Sequence, residues 1–336
     1  MLRAAIATLL VVPALSLGLT AQNPPTFQTA TELVEVGAVV VDGRGQPVAG
    51  LTKDDFAIEE DGRRVAVSTF AAVDADAPEE GSEGRFVILL LDDSDAPILT
   101  TRIKAIARQF ADRMTARDTL AVMTLNGSKR QTTNEVEAIR AQIDHFRPRM
   151  LALPSFARVN KNDIAFTPDL TCSECGPPAR IPPSASVNMP RHALDTISSL
   201  ARQVSHVQHW RKSIVCIGRA GLFDVHVSPA RPGFPYGWLD AVHDAATADV
   251  SVYVLDPAGL SFGSYDGALG LAGETGGRAF VNTNMFGSAV DQIWQETGHY
   301  YLLGYDAGKL RKRTPHSIKV TVDKPGLEVR ARRTRA

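Results

Sequence analysis

From Leu33 to Phe70 apolar and polar positions alternate, and the alternation is broken by turns. Leu33–Val41, Phe56–Glu60 and Val65–Phe70 each read as a strand, separated by Asp42-Gly43-Arg44-Gly45 and by Asp61-Gly62. Asp-Gly between extended runs is a strong hairpin signal. A β unit of about 40 residues is marginal as an independent core, so this one is expected to lean on another part of the chain.

The rhythm changes after residues 74–84, Asp-Ala-Asp-Ala-Pro-Glu-Glu-Gly-Ser-Glu-Gly, whose acidic, apolar-poor composition is that of a linker. Arg85–Leu91 is then a continuous apolar run, as expected of a strand buried on both faces. Ile98, Ile103, Ile106, Phe110 and Met114 recur at helical spacing. Leu120–Leu125 predicts a second buried strand and Glu135–Phe146 a second helix. Residues 147–190 are rich in proline with little periodicity and read as an insertion. Helix returns at Arg191–Leu200, strand at Lys212–Gly218, helix at Trp238–Thr247 and strand at Val250–Leu255. Gly270–Gly277 leads to a short strand, Arg278–Val281, and a helix, Phe286–Glu296. Strands alternating with helices imply βαβ units, a mostly parallel sheet and helices on both of its faces.

The end of the chain is extended again, at Tyr300–Tyr305, Ser317–Val322 and Leu327–Ala331. The expected organisation is an N-terminal β unit (22–73), a linker (74–84), an α/β domain (85–298) containing the insertion, and a C-terminal β segment (299–336). That last segment is expected to pair with the N-terminal unit, giving a small antiparallel β domain built from both chain ends.

Residues 1–21 add a different kind of segment: Arg3, an apolar run from Ala4 to Leu19, then Thr20-Ala21 before polar Gln22-Asn23. This is the pattern of a secretory signal peptide. The apolar run is shorter than the ~20 residues of a spanning helix and contains Pro13, although retention as an anchor is the alternative. Cleavage near Ala21 would leave no transmembrane span and place the protein in the periplasm or outside the cell. A formal net charge of −1 offers no field to hold nucleic acid or a membrane surface, and 44% hydrophobic residues suffice for real cores. Of three cysteines, Cys172 and Cys175 form a CxxC among prolines, while Cys216 lies in an apolar run. In an exported chain the close pair reads first as a disulfide, then as free thiols, a metal site or a redox pair.

An open α/β sheet binds ligands at the carboxyl ends of its strands, which directs attention to Asp92-Asp93-Ser94-Asp95-Ala96 after Leu91. Here the chain resembles the von Willebrand factor A domains, whose metal-binding loop is DxSxS after a buried first strand. It is most similar to the bacterial VWFA-related proteins, through Leu33–Gly62, Ala248–Pro257, Leu271–Thr283 and Tyr300–Tyr305. The resemblance implies a von Willebrand A-like, Rossmann-like sheet and an adhesion site for Mg²⁺ or Mn²⁺; Asp93, Asp95 and Asn188 add oxygens that leave a looser Ca²⁺ or Mg²⁺ site open. Asp92, Ser94 and Asp95 are the metal-ligand candidates. The site is degenerate in sequence: Ala96 replaces a serine, Ser186–Pro190 lacks the expected threonine, and Gly218-Arg219-Ala220-Gly221 lacks the expected aspartate. Asp92 and Ser94 capping the next helix is the simpler role.

Other constellations carry less. Gly273–Gly277 lacks the endings of a phosphate loop and reads as a turn. His206 and His209 have no third ligand, and no GxSxG elbow occurs. The expectation is therefore a non-enzymatic binding or adhesion module recognising a protein or cell-envelope partner through loops 92–97, 186–190 and 218–226. The alternatives are an envelope-assembly subunit, or a hydrolase using His192 or His226 in the strand-end cleft.

Overall fold

A computed structural model describes residues 33–77, 84–94, 97–125, 132–148, 183–207, 211–223, 237–261, 263–307 and 315–335, with backbone alone at 97–98 and 183–192. The leader (1–21), Asp95, Ala96, the CxxC cysteines, His209, Trp210 and His226 lie outside the described residues.

Strands β1 (Leu33–Val41), β2 (Phe56–Glu60), β3 (Arg63–Val65) and β4 (Val67–Asp74) come first. The two-residue connection Asp61-Gly62 has φ of 49° and 75°. Both angles are positive, as a type I′ hairpin turn requires, and Gly and Asp tolerate that region best. The α/β run follows: β5 (Phe86–Leu91), α1 (Pro97–Ala111), β6 (Thr119–Thr124), α2 (Val136–His145), α3 (Pro183–Val204), β7 (Lys212–Ile217), α4 (Trp238–Thr247), β8 (Val250–Leu255), α5 (Asp266–Glu274), β9 (Ala279–Phe280) and α6 (Phe286–Gly298). The chain closes with β10 (His299–Asp306), β11 (His316–Val322), β12 (Glu328–Ala331) and β13 (Thr334–Arg335).

The fold is mixed α/β. Five parallel strands run in the order β6-β5-β7-β8-β9, beside two four-stranded sheets, β12-β1-β10-β4 and β13-β11-β2-β3. The order of the parallel sheet is compatible with a Rossmann-like core. Alternation along β5 explains why helices cover both faces. Phe86, Ile88 and Leu90 pack in one cluster with α3, α4 and α5 residues such as Ile197, Ala245 and Leu271. Val87, Leu89 and Leu91 pack in another with Ile106, Phe110, Ile139 and Ile293 from α1, α2 and α6. Successive strand side chains point to opposite faces, and each fully buried Leu or Ile contributes about 1.5–3 kcal/mol.

The two antiparallel sheets share a core of Val36, Val40, Ile58, Tyr301, Leu303 and Ile318. Both chain ends enter it: β1 pairs with β10 and β12, and β2 pairs with β11. Arg211, buried at the start of β7, joins this unit to the parallel sheet. Its guanidinium donates to the Gly276 carbonyl at 2.8 Å and lies 5.6 Å from the Tyr300 ring centroid. Arg330 of β12 reaches buried Glu296 of α6. Burial pushes the Glu296 carboxyl above the usual carboxylate range.

One expected loop is absent. Ser186–Pro190 lie within α3, which begins at Pro183 rather than Arg191. Proline is favoured in the first helical turn, where its missing N–H is not needed. Pro183 occupies that first position, whereas Pro190 is the eighth residue of the helix and donates no backbone N–H to it. Among the described residues no helix is long and apolar enough to cross a membrane.

Candidate functional site

The central strands of the parallel sheet end level with one another. Leu91 of β5 is in register with Ile217 of β7, and Ile217 with Leu255 of β8. The ladder continues one step further, because the Asp92 N–H donates to the Ile217 carbonyl (3.1 Å) and the Gly218 N–H to the Leu255 carbonyl (3.2 Å). Asp92, Gly218 and Asp256 therefore form a row across the sheet. From β5 the chain crosses to β6 on one side, and the later strands lie on the other. The row thus spans the topological switch point, where ligands of open α/β sheets bind.

Both aspartates in the row are buried, at 1% and 3% exposure. Asp92 Oδ1 accepts the Ser94 N–H at 2.9 Å and the Ser94 hydroxyl at 2.5 Å. Asp256 spends each oxygen on a backbone N–H: Oδ2 accepts from Ala220 (3.0 Å) and Oδ1 from Ala258 (2.8 Å). Asp256 thus ties the short 3-10 turn Ala220–Phe223 to the loop after β8. Gly218 must be small, since a Cβ there would stand 2.7 Å from the Asp92 Cβ and 3.1 Å from a Leu222 methyl. Beneath the row lies Cys216, fully buried. Desolvation first, then the charges of Asp92 and Asp256, push its thiol well above the ordinary cysteine value, which keeps it protonated and unreactive.

The rim of the row presents side chains to solvent. Arg219 is exposed beside Gly218. Leu260, in the loop after β8, and Met285, before α6, are 68% and 70% exposed. Their loops touch, because a Cβ on Gly259 would meet Asn284 Oδ1. The Arg102 guanidinium of α1 donates to the Pro257 carbonyl at 2.6 Å and fixes the base of the loop.

Asp92 and Ser94 are therefore brought together at the strand end, while Asp95 lies outside the described residues. His206 is exposed beyond the end of α3, and the His192 side chain is not described. Asp256 was missed by sequence reasoning. Its signal was available, since it follows Val250–Leu255 as Asp92 follows Phe86–Leu91, an aspartate at the end of a fully buried strand.

Among the described residues the protein oxygens at the row fall short of a complete shell for Mg²⁺, Mn²⁺ or Ca²⁺. Such hard ions take about six or more oxygens. Among the described residues the row and its neighbours supply Asp92 and Ser94, bonded to each other, the adjacent buried Asp93, and Asp256, whose two oxygens both accept N–H groups. As far as Phe223, where the described part of the loop after β7 ends, none of its side chains carries an oxygen. No protein-family model and no curated protein matches the chain.

Proposed function

We propose that the chain is an exported, non-enzymatic binding module of von Willebrand A type. It recognises a protein or cell-envelope partner through the strand-end rim, and does so without a metal ion. The observation that carries this reading is the pairing of a rigid base with an adhesive edge. Buried Asp92 and Asp256 hold the loops by hydrogen bonds, and Arg219, Leu260 and Met285 stand exposed above them. Exposed apolar and arginine side chains on an ordered surface are the usual anchors of protein interfaces. Loops held in one conformation also lose less entropy on binding. Export rests on the leader at residues 1–21.

The test uses the immobilised full-length mature chain, challenged with solubilised envelope proteins with and without EDTA. A specific partner retained equally under both conditions, and lost on the double substitution Leu260→Asp/Met285→Asp, supports the reading. Leu269→Asp on α5, also an exposed leucine, should retain it. Loss of the partner in EDTA, or retention by the rim variant, overturns it.

A further inference from the structure

At the opposite end of the parallel sheet, where Arg85 leads into β5, three other side chains meet. Asp74 ends β4, and its antiparallel partner in register is His299, the first residue of β10. Asp76, two residues on, returns to the same side. His299 Nε2 stands 3.1 Å from Asp74 Oδ1 and 3.5 Å from Asp76 Oδ2. One ligand atom from each of the three residues falls within 4.8 Å of the others.

The orientation of the imidazole limits what occupies the space between them. Nδ1 lies 3.0 Å from the Gln295 carbonyl oxygen. A carbonyl only accepts, so Nδ1 carries the proton. In the neutral ring Nε2 is then a lone pair aimed at two carboxylate oxygens, which is repulsive unless a positive centre lies between them. That centre is either a second proton or a metal ion.

We propose that Asp74, Asp76 and His299 form a binding site for a divalent transition-metal ion of the Zn²⁺ type, with at least one coordination position open to solvent. Ligand bonds of about 2.0–2.2 Å separate neighbouring ligands by roughly 3.0–3.5 Å around a tetrahedral or octahedral ion. The two nitrogen–oxygen separations match that spacing. A ligating histidine ordinarily donates its other N–H to a carbonyl or carboxylate, which fixes the ring, and ligating carboxylates are themselves hydrogen-bonded. Both arrangements are built here. Arg85 holds Asp76 through both oxygens, at 2.9 and 2.8 Å, and the Asp76 N–H donates to Asp74 Oδ1 at 2.9 Å. Each carboxylate oxygen keeps a further lone pair. The mixed nitrogen and oxygen donors suit Zn²⁺ over Mg²⁺ or Ca²⁺. The surrounding charges are the carboxylates of Asp74 and Asp76 and the guanidiniums of Arg85 and Arg117. The ion would clamp the start of β10 to the end of β4, and all three side chains remain partly open, leaving room for a water or a carboxylate of a partner.

Isothermal titration of Zn²⁺ into metal-stripped mature protein at pH 7.5 tests this, in a Cys172→Ser/Cys175→Ser background that removes the thiolates. One equivalent should bind, and affinity should fall by about tenfold or more in Asp74→Asn and vanish in His299→Ala. Asp74→Asn keeps an acceptor for the Asp76 N–H and so decides the matter if His299→Ala fails to fold. Absence of binding at pH 7.5, or binding unchanged in both variants, overturns the site and leaves a doubly protonated imidazole bridging two aspartates.

Discussion

Arg335, on the last strand of the chain, donates its Nε–H to Glu60 Oε1 at 2.8 Å, in a buried contact between residues 275 positions apart. The Tyr305 hydroxyl donates to the same oxygen at 3.0 Å. One carboxylate therefore gathers β2, β10 and β13, drawn from both ends of the sequence. Burial, then the Glu60 charge, pushes the Tyr305 phenol far above its ordinary value, so Tyr305 serves as a neutral donor.

Arg335→Ala leaves Glu60 buried without its cation and should destabilise the protein by about 3–5 kcal/mol, read as a lower denaturant midpoint. Glu60→Gln/Arg335→Met, which removes both charges, should recover most of that loss. Equal stability of Arg335→Ala and the parent chain would contradict the contact.

Arg85 is fully buried and bonds Asp76, the Trp294 carbonyl and Asp118. Lysine cannot reproduce a bidentate fork, so Arg85→Lys should be nearly as destabilising as Arg85→Ala. The pH dependence follows from Asp76, whose carboxyl is held below its ordinary value chiefly by Arg85. A lowered folded-state value means the stabilisation is present above the unfolded value of about 3.9 and is lost as pH falls through the folded one. Stability of the parent chain should therefore drop below about pH 4 more steeply than that of Asp76→Asn, as urea unfolding at stepped pH would show.

Cys216 should resist alkylation in the folded protein at pH 8 and react once the chain is unfolded. Its thiol is buried, and its ionisation is opposed by desolvation and by Asp92 and Asp256. Peptide mass spectrometry separates it from Cys172 and Cys175. Rapid native labelling would show that the strand ends open.

Gly218→Ala places a methyl 2.7 Å from the Asp92 Cβ and should destabilise by about 1–3 kcal/mol through overpacking. Because it shifts Asp92 against its neighbours, it should also weaken partner capture, whereas Ala220→Gly, which keeps the N–H that Asp256 accepts, should spare capture. Thermal melts and the capture assay read the two effects separately.

Local patterns determined a good deal. The apolar run Phe86–Leu91, the buried Val250–Leu255, the helical spacing from Ile103 to Phe110 and the Asp61-Gly62 turn are each written within a few adjacent residues. Period and turn chemistry depend only on neighbours, so the mixed α/β class with a parallel sheet was legible. The helical state of Ser186–Pro190 was not, because a proline at the first helical position, as at Pro183, looks the same in sequence as one in a loop. The sequence suggested that the two chain ends meet, but the tertiary structure alone decided which individual strands pair and in what register. It set the level ends of β5, β7 and β8 that align Asp92, Gly218 and Asp256, the position of His299 opposite Asp74, and the reach of Arg335 to Glu60. Those relationships join residues tens to hundreds of positions apart. They arise when buried faces of distant segments close on one another, and no periodicity within a segment encodes which partner will cover it.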